Sequence, residues 1–403
     1  MSRWRRNPGR WLIALVIAMG VSRAQAWPEE LYLGPDVSAE DILDTFLAVP
    51  PELDKTSAWL AQLDLRQGAG YGQNVLYTPF VGQDSMFSVS EAELLAYLPL
   101  GSAHRLSIYA FGNHRHYVDL PANNVEYNAL AQGEWEYQFN KKGACGLDAN
   151  YQFFDQFFDA SISEVELDST RLKQQDVGAS TFARYAVLPY LTARVQGGYK
   201  VAVIDQSDDD YRECEVSSSL QGQSQSGSTL ALTYGYTRDD YDHREMRTGV
   251  GEVVPDETVD IASHLFRLHG SWYWDAARNW MMRWGGSQRL RDDTGGGYYD
   301  YESWQGTMGI RVRMGQWSTD LRAGYTDTQY DRQPSDILDP ASEPLHKQRA
   351  DLELRVERTL GKRWSLFTEI TWEDNRANDP LGVYEHFTGA VGLGYNLIAT
   401  AAP

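Results

Sequence analysis

The chain has 403 residues and a formal net charge of −20, with 42% hydrophobic and 12% aromatic residues. That acidity excludes a nucleic-acid binder, whose affinity rests on neutralising phosphates. The apolar and aromatic content excludes a disordered acidic tail.

Arg3, Arg5, Arg6 and Arg10 precede an apolar run from Trp11 to Met19, and small residues lead on to Ala24-Gln25-Ala26. This is the order of a secretory signal peptide, and the run is too short to span a bilayer as a helix. The expected cleavage removes residues 1–26 and leaves a chain starting near Trp27. Loss of Arg3, Arg5, Arg6, Arg10 and Arg23 leaves 31 basic residues against 56 acidic ones, a net charge of −25. Cys145 begins one predicted strand and Cys214 another, at opposite ends of the barrel the strands imply, too far apart for the roughly 7 Å that a disulfide tolerates. Neither sits in metal-ligand spacing.

Residues 27–56 differ in pattern from the rest of the chain. Ser38-Ala-Glu-Asp41 resembles a capping box, with Ile42, Leu43, Phe46 and Leu47 on one helical face, and Pro50-Pro51 stops the run. A short amphipathic helix is expected there.

From Ser57 the hydrophobic period is two, the mark of a strand whose faces meet different surroundings. The first strand sets Trp59, Ala61, Leu63 and Leu65 against Gln62, Asp64 and Arg66. The pattern recurs over 86–98, 104–115, 127–139 and from Cys145, and continues with Val177, Ala179, Thr181, Ala183 and Tyr185. It is clearest over 190–204, where Leu191, Ala193, Val195, Gly197, Tyr199, Val201 and Val203 alternate with Arg194, Gln196 and Lys200. A Ser-rich stretch over 211–222 is held as a strand by count. Further strands carry Leu230–Tyr236, Phe266–Trp274, Trp280–Trp284, Trp304–Met314, Leu321–Tyr325, Leu352–Val356 and Trp364–Trp372. The last runs over 384–397. Tight turns at 99–103, 140–144, 188–190, 223–228, 275–279, 314–317 and 360–363 alternate with longer loops near 69–85, 116–126, 159–171, 205–211, 239–257, 291–299, 327–348 and 375–383. Sixteen strands result, with both chain ends on the short-turn side.

Ten-residue two-faced segments, joined by alternating short and long connections and edged with Trp and Tyr, resemble the bacterial outer-membrane β-barrel class over residues 57–397. The resemblance implies a closed antiparallel up-and-down barrel of about sixteen strands and an outer-membrane location with both termini periplasmic. It also implies lipid and lipopolysaccharide around the wall. Gly394-Tyr395-Asn396-Leu397 looks like the terminal signal read by the barrel assembly machinery, although Leu replaces the usual aromatic and residues 398–403 trail as a tail. In strand number the chain is similar both to general porins and to barrels exporting cellulose or poly-N-acetylglucosamine. It lacks the latter's helical-repeat domain, so export would need separate periplasmic partners.

With the apolar face on lipid, the alternate residues line the lumen. Glu91, Glu93, Glu134, Glu136 and Asp148 come from early strands. Arg267, Arg283, Arg289, Arg311, Arg313, Arg322 and Arg355 come from later ones. An acidic wall would face a basic wall and orient polar or anionic solutes. The competing reading makes these charges neighbouring ion pairs, with Asp320, Asp351, Glu353 and Glu357 satisfying the arginines. No loop is expected to fold inward, and the Pro- and acid-rich 327–348 is expected at the surface.

The sequence therefore predicts a channel passing polar or anionic solutes or a polysaccharide chain. Two alternatives are a barrel with a filled lumen serving surface binding or envelope assembly, and a surface hydrolase using Asp242 and His243. For hydrolysis the sequence offers an Asp-His pair, with His114 and His116 at another strand end, but no nucleophile motif. Asp208-Asp209-Asp210 reads as a solvated loop with calcium binding as its alternative. No enzyme activity, cofactor or metal is assigned.

Overall fold

The computed structural model describes residues 59–77, 82–120, 124–157, 171–205, 210–249, 251–336, 339 and 341–401. The signal peptide, the residue 27–56 helix and the Asp208-Asp209 pair lie outside the described residues.

The described chain is almost wholly strand. The elements are β1 (Trp59–Gln73), β2 (Ser85–Pro99), β3 (His104–Tyr117), β4 (Val125–Gln138), β5 (Gly143–Phe157), β6 (Arg171–Leu188), β7 (Leu191–Asp205) and β8 (Tyr211–Gln223). They continue with β9 (Thr229–Arg247), β10 (Val253–Tyr273), β11 (Trp280–Asp293), β12 (Tyr301–Met314), β13 (Trp317–Pro334), β14 (Pro344–Thr359), β15 (Trp364–Ala377) and β16 (Tyr384–Ala401). Each pairs antiparallel with its chain neighbours, and β1 pairs with β16 to close the barrel. Closure leaves every wall amide a partner and no edge, the condition a strand must meet to cross hydrocarbon.

The seam runs from Trp59 opposite Ala401 to Gln73 opposite Phe387. Residues 398–401, expected as a tail, therefore extend the last strand, because Trp59–Gln62 would otherwise lack partners on that side. Four hairpin strands also outrun expectation. β9 and β10 continue to Arg247 and Val253 through much of the 239–257 loop, and β13 and β14 take up most of 327–348. Beyond the apolar band a hairpin needs no greasy face, so alternation fades while backbone pairing goes on.

The two faces differ as the period of two requires. Leu65, Val177, Val195, Val201, Val391 and Leu393 point outward and are exposed, Val195 at 56% and Val177 at 58%. So continuous an apolar surface is not that of a water-soluble monomer. No helix or second sheet covers it among the described residues. At the short-turn end it is edged by Trp272, Trp274, Trp280, Trp317 and Trp364, with Trp274 beside Trp280 at 6.4 Å and Trp364 edge-on to Tyr395 at 4.9 Å. This is the outer wall of a transmembrane barrel, with an aromatic girdle. Cys145 and Cys214 are both free.

Candidate functional site: the charged lumen

The inward side chains are packed rather than solvated. Flat aromatic rings lie on the wall where glycine makes room, and arginines cap them. The Phe182 ring lies so close to Gly146 (2.5 Å from where a side chain would start) that no larger residue fits, and Arg194 sits 3.7 Å above the ring. Phe367 lies against Gly392 (2.6 Å) in the same way under Arg355, at 5.4 Å. Such stacking keeps guanidinium groups in place above an apolar floor.

All eleven sequence-predicted residues fall on the inward-facing register, but in two unlike arrangements. On the acidic arc several of the carboxylates have basic partners of their own. Glu91 of β2 pairs with Arg66 at 3.3 Å. Glu136 of β4 pairs with Arg184 at 2.5 Å and Arg105 at 3.9 Å, and Glu134 with Arg194 at 3.2 Å. Farther round, Lys200 pairs with Glu213 at 3.0 Å, and Gln132 donates to Asp148 at 2.8 Å. Glu93 faces inward beside them, half-buried. The second reading of the sequence, neighbouring ion pairs, describes this arc. The acidic residues alone do not make a bare negative wall, because Arg66, Arg105, Arg184 and Arg194 share their face. These bases stand at the same parity in the sequence, but the strand offset that lets Arg194 of β7 reach Glu134 of β4 does not show there.

The arc from β10 to β13 is different. Arg267, Arg283, Arg289, Arg291, Arg311, Arg313 and Arg322 face inward, and the wall acid among them is Asp320. Asp293 stands at the end of β11 and turns into the following loop. Arg283 Nη2 donates to both Asp320 oxygens, at 2.7 and 2.8 Å, Arg311 Nε at 2.6 Å and Arg322 Nε at 3.2 Å. Arg322 also reaches Glu353 at 3.5 Å. Arg267, Arg289 and Arg291 are buried, whereas Arg313 is exposed near the short-turn rim. Arg355 of β14 joins the two arcs, with Glu369 at 3.3 Å and Glu91, four strands away across the seam, at 4.0 Å.

Towards the long loops the lumen turns apolar. Phe154, Leu172, Ala202, Ile204, Tyr211, Tyr241, Val259 and Ile261 form one buried cluster, and Tyr298 and Tyr299 join it from the β11–β12 loop. The expectation that no loop folds inward is thus corrected, for residues 294–300 lie on the lumenal side of the mouth. The Asp293 carboxylate shapes the loop. Its Oδ1 accepts the amides of Gly295 (2.9 Å), Gly296 (3.0 Å) and Gly297 (2.9 Å), and its Oδ2 that of Tyr299 (2.7 Å). Gly297 has φ +83°, a left-handed turn that favours glycine. Arg244 then stacks on Tyr299 at 4.2 Å and on Tyr241 at 5.0 Å. Partial burial, with Asp293, Asp292 and Asp331 nearby, pushes the Asp300 carboxyl up to about 6, although the Asp293 amide donates to it at 2.7 Å. Across the mouth a second loop also enters, with Val75 fully buried among Phe87, Tyr117 and Phe157, and Tyr77 stacked on His386 at 4.4 Å.

The residues considered for hydrolysis are not assembled. Asp242 pairs with Arg212 at 3.2 Å on the outward side, and His243 is exposed. His114 stacks on Tyr127 at 4.9 Å, and His116 hydrogen-bonds Asn124 at 3.2 Å.

A family model described as "Protein of unknown function, DUF481" matches residues 297–402, the part forming β12 to β16. No curated protein matches the chain. Among solved structures the chain is similar to OccAB3 of Acinetobacter baumannii, at 10% identity, covering 85% of this chain and 99% of that one, with a TM-score of 0.42. It is similar to a loop-deletion mutant of OmpT, an outer membrane protein of Vibrio cholerae, at 9% identity, 85% and 100% coverage and a TM-score of 0.43. It is likewise similar to the outer membrane protein OpdK from Pseudomonas aeruginosa, at 11% identity, 85% and 99% coverage and a TM-score of 0.43.

Proposed function

We propose that the chain is an outer-membrane channel of a Gram-negative-type cell that passes small polar solutes and prefers anions. The observation carrying this is the uneven lumen. Seven arginines share four adjacent strands with the single wall acid Asp320, while of the carboxylates elsewhere Glu91, Glu134, Glu136 and Glu213 have bases of their own and Asp148 and Asp176 are held by glutamines. A net positive wall inside a low-dielectric cylinder concentrates anions along it. The loops turned into the mouth favour a small solute over a polysaccharide chain. Trp59 and Ala401, the ends of the described barrel, stand on the short-turn side, which in this reading is periplasmic. The outward pairs Arg171–Asp155 and Lys173–Asp205, each at 2.5 Å at the long-loop end, then meet lipopolysaccharide headgroups. The last strand is the part offered to the barrel assembly machinery, and no catalysis, cofactor or nucleic acid enters this reading.

The test is planar-bilayer conductance of the refolded full chain in a KCl gradient. A stable current with chloride preferred over potassium is expected, and Arg311→Glu with Arg313→Glu should reverse the preference. Stable current with unchanged selectivity in that double variant would remove the basic wall from the pathway. A silent bilayer would favour the second reading, a barrel with a filled lumen used for surface binding or envelope assembly. The buried aromatic clusters at the mouth are what recommend it.

A further inference from the structure

Asp320 stands in an unusual position for a wall carboxylate. Three guanidinium groups from three strands converge on its two oxygens, three donor nitrogens making four contacts between 2.6 and 3.2 Å. One negative charge against three positive ones leaves the group cationic even after Glu353 takes a share of Arg322. Planar arginine forks aimed at one oxyanion are what carboxylate and phosphate recognition uses. The three side chains are not sealed off, since Arg311 is 28% exposed and Arg322 25%, against 12% for Asp320.

We propose that Arg283, Arg311 and Arg322 form a seat for a solute oxyanion, a carboxylate or phosphate, and that Asp320 is its built-in occupant. This rests on the anion-channel reading and names the subsite within it. A passing oxyanion shares or displaces the Asp320 contacts, so the arginines are never left without a counter-charge between solutes. Asp320 accordingly sets how tightly a solute is held. Too strong a grip would stop transit, because conduction needs a site weak enough to leave.

The probe is inorganic phosphate, added to bilayers carrying chloride current through the full chain. Removing one competing unit charge in a partly screened lumen should lower the half-blocking phosphate concentration roughly tenfold in Asp320→Asn. Asp320→Glu should block like the parent, and Arg311→Gln should need several times more phosphate. Unchanged or weaker block in Asp320→Asn would overturn the seat. Should that variant fail to insert, Arg311→Gln decides, and an unaltered block there overturns it equally. If the parent carries no current, the channel reading falls by itself. The seat is then judged by calorimetric titration of phosphate into the detergent-refolded barrel, where tighter binding to Asp320→Asn supports it and equal binding refutes it.

Discussion

The two arcs of the lumen use the same residue types for opposite ends. Between β2 and β8, several acids have bases beside them, and Glu136 holds Arg105 and Arg184 together. Between β10 and β13, arginines gather and one aspartate answers them. Pairing of the first kind braces a wall and leaves little field behind. An excess of one sign costs more to fold, because like charges share a low-dielectric space, and it survives where the field itself is useful. An apolar mouth on the long-loop side separates both arcs from the exterior.

The contrast can be broken at several points. The largest effect is expected at the mouth, where Tyr298→Ala with Tyr299→Ala empties two buried aromatic sites. At roughly 3 kcal/mol or more for each buried ring, the loop should leave the cluster. Single-channel conductance should rise without a change in ion preference, and unaltered conductance would mean the loop does not restrict the path. Next comes the paired arc. Glu136→Gln strands two arginines and should lower stability by about 1–3 kcal/mol, read as an earlier midpoint in urea unfolding. Its ion selectivity should stay close to that of the parent, whereas a large shift in selectivity would mean the acidic arc shapes the field after all. The smallest effect is that of pH on Asp300. Its carboxyl is raised in the fold, so the neutral form is favoured there. The stabilisation is present at low pH and is lost as pH rises through about 6. Allowing for solvent screening, this amounts to about 1 kcal/mol. Protection of the loop amides at Gly295–Gly297, taken relative to intrinsic exchange at each pH, should therefore be greater at pH 5 than at pH 7, and Asp300→Asn should level the two.

Much of this was legible before any coordinates, because a lipid boundary forces alternation on every strand that crosses it. Even the Ser-rich β8 falls in place once the barrel has to close. The shared inward register of the eleven charged residues follows from parity alone. Partner choice does not, since Arg194–Glu134 and Arg355–Glu91 depend on the shear of the closed sheet and join residues three and four strands apart. The inward loop was hidden for a different reason. Thr294-Gly-Gly-Gly-Tyr-Tyr-Asp300 reads as an ordinary polar turn, and only the Asp293 carboxylate gathering its amides reveals a compact fold. The projecting hairpins were hidden because outside the bilayer nothing demands a greasy side.

The seam between β1 and β16 has a consequence for biogenesis. The first strand made finds its partner only in the last one made, so throughout synthesis and transit the sheet carries two raw borders. Both stay unpaired until Tyr384–Ala401 is in place. Shortening that terminal segment by even four residues would leave Trp59–Gln62 frayed at the short-turn rim and should slow insertion before it harms the finished barrel.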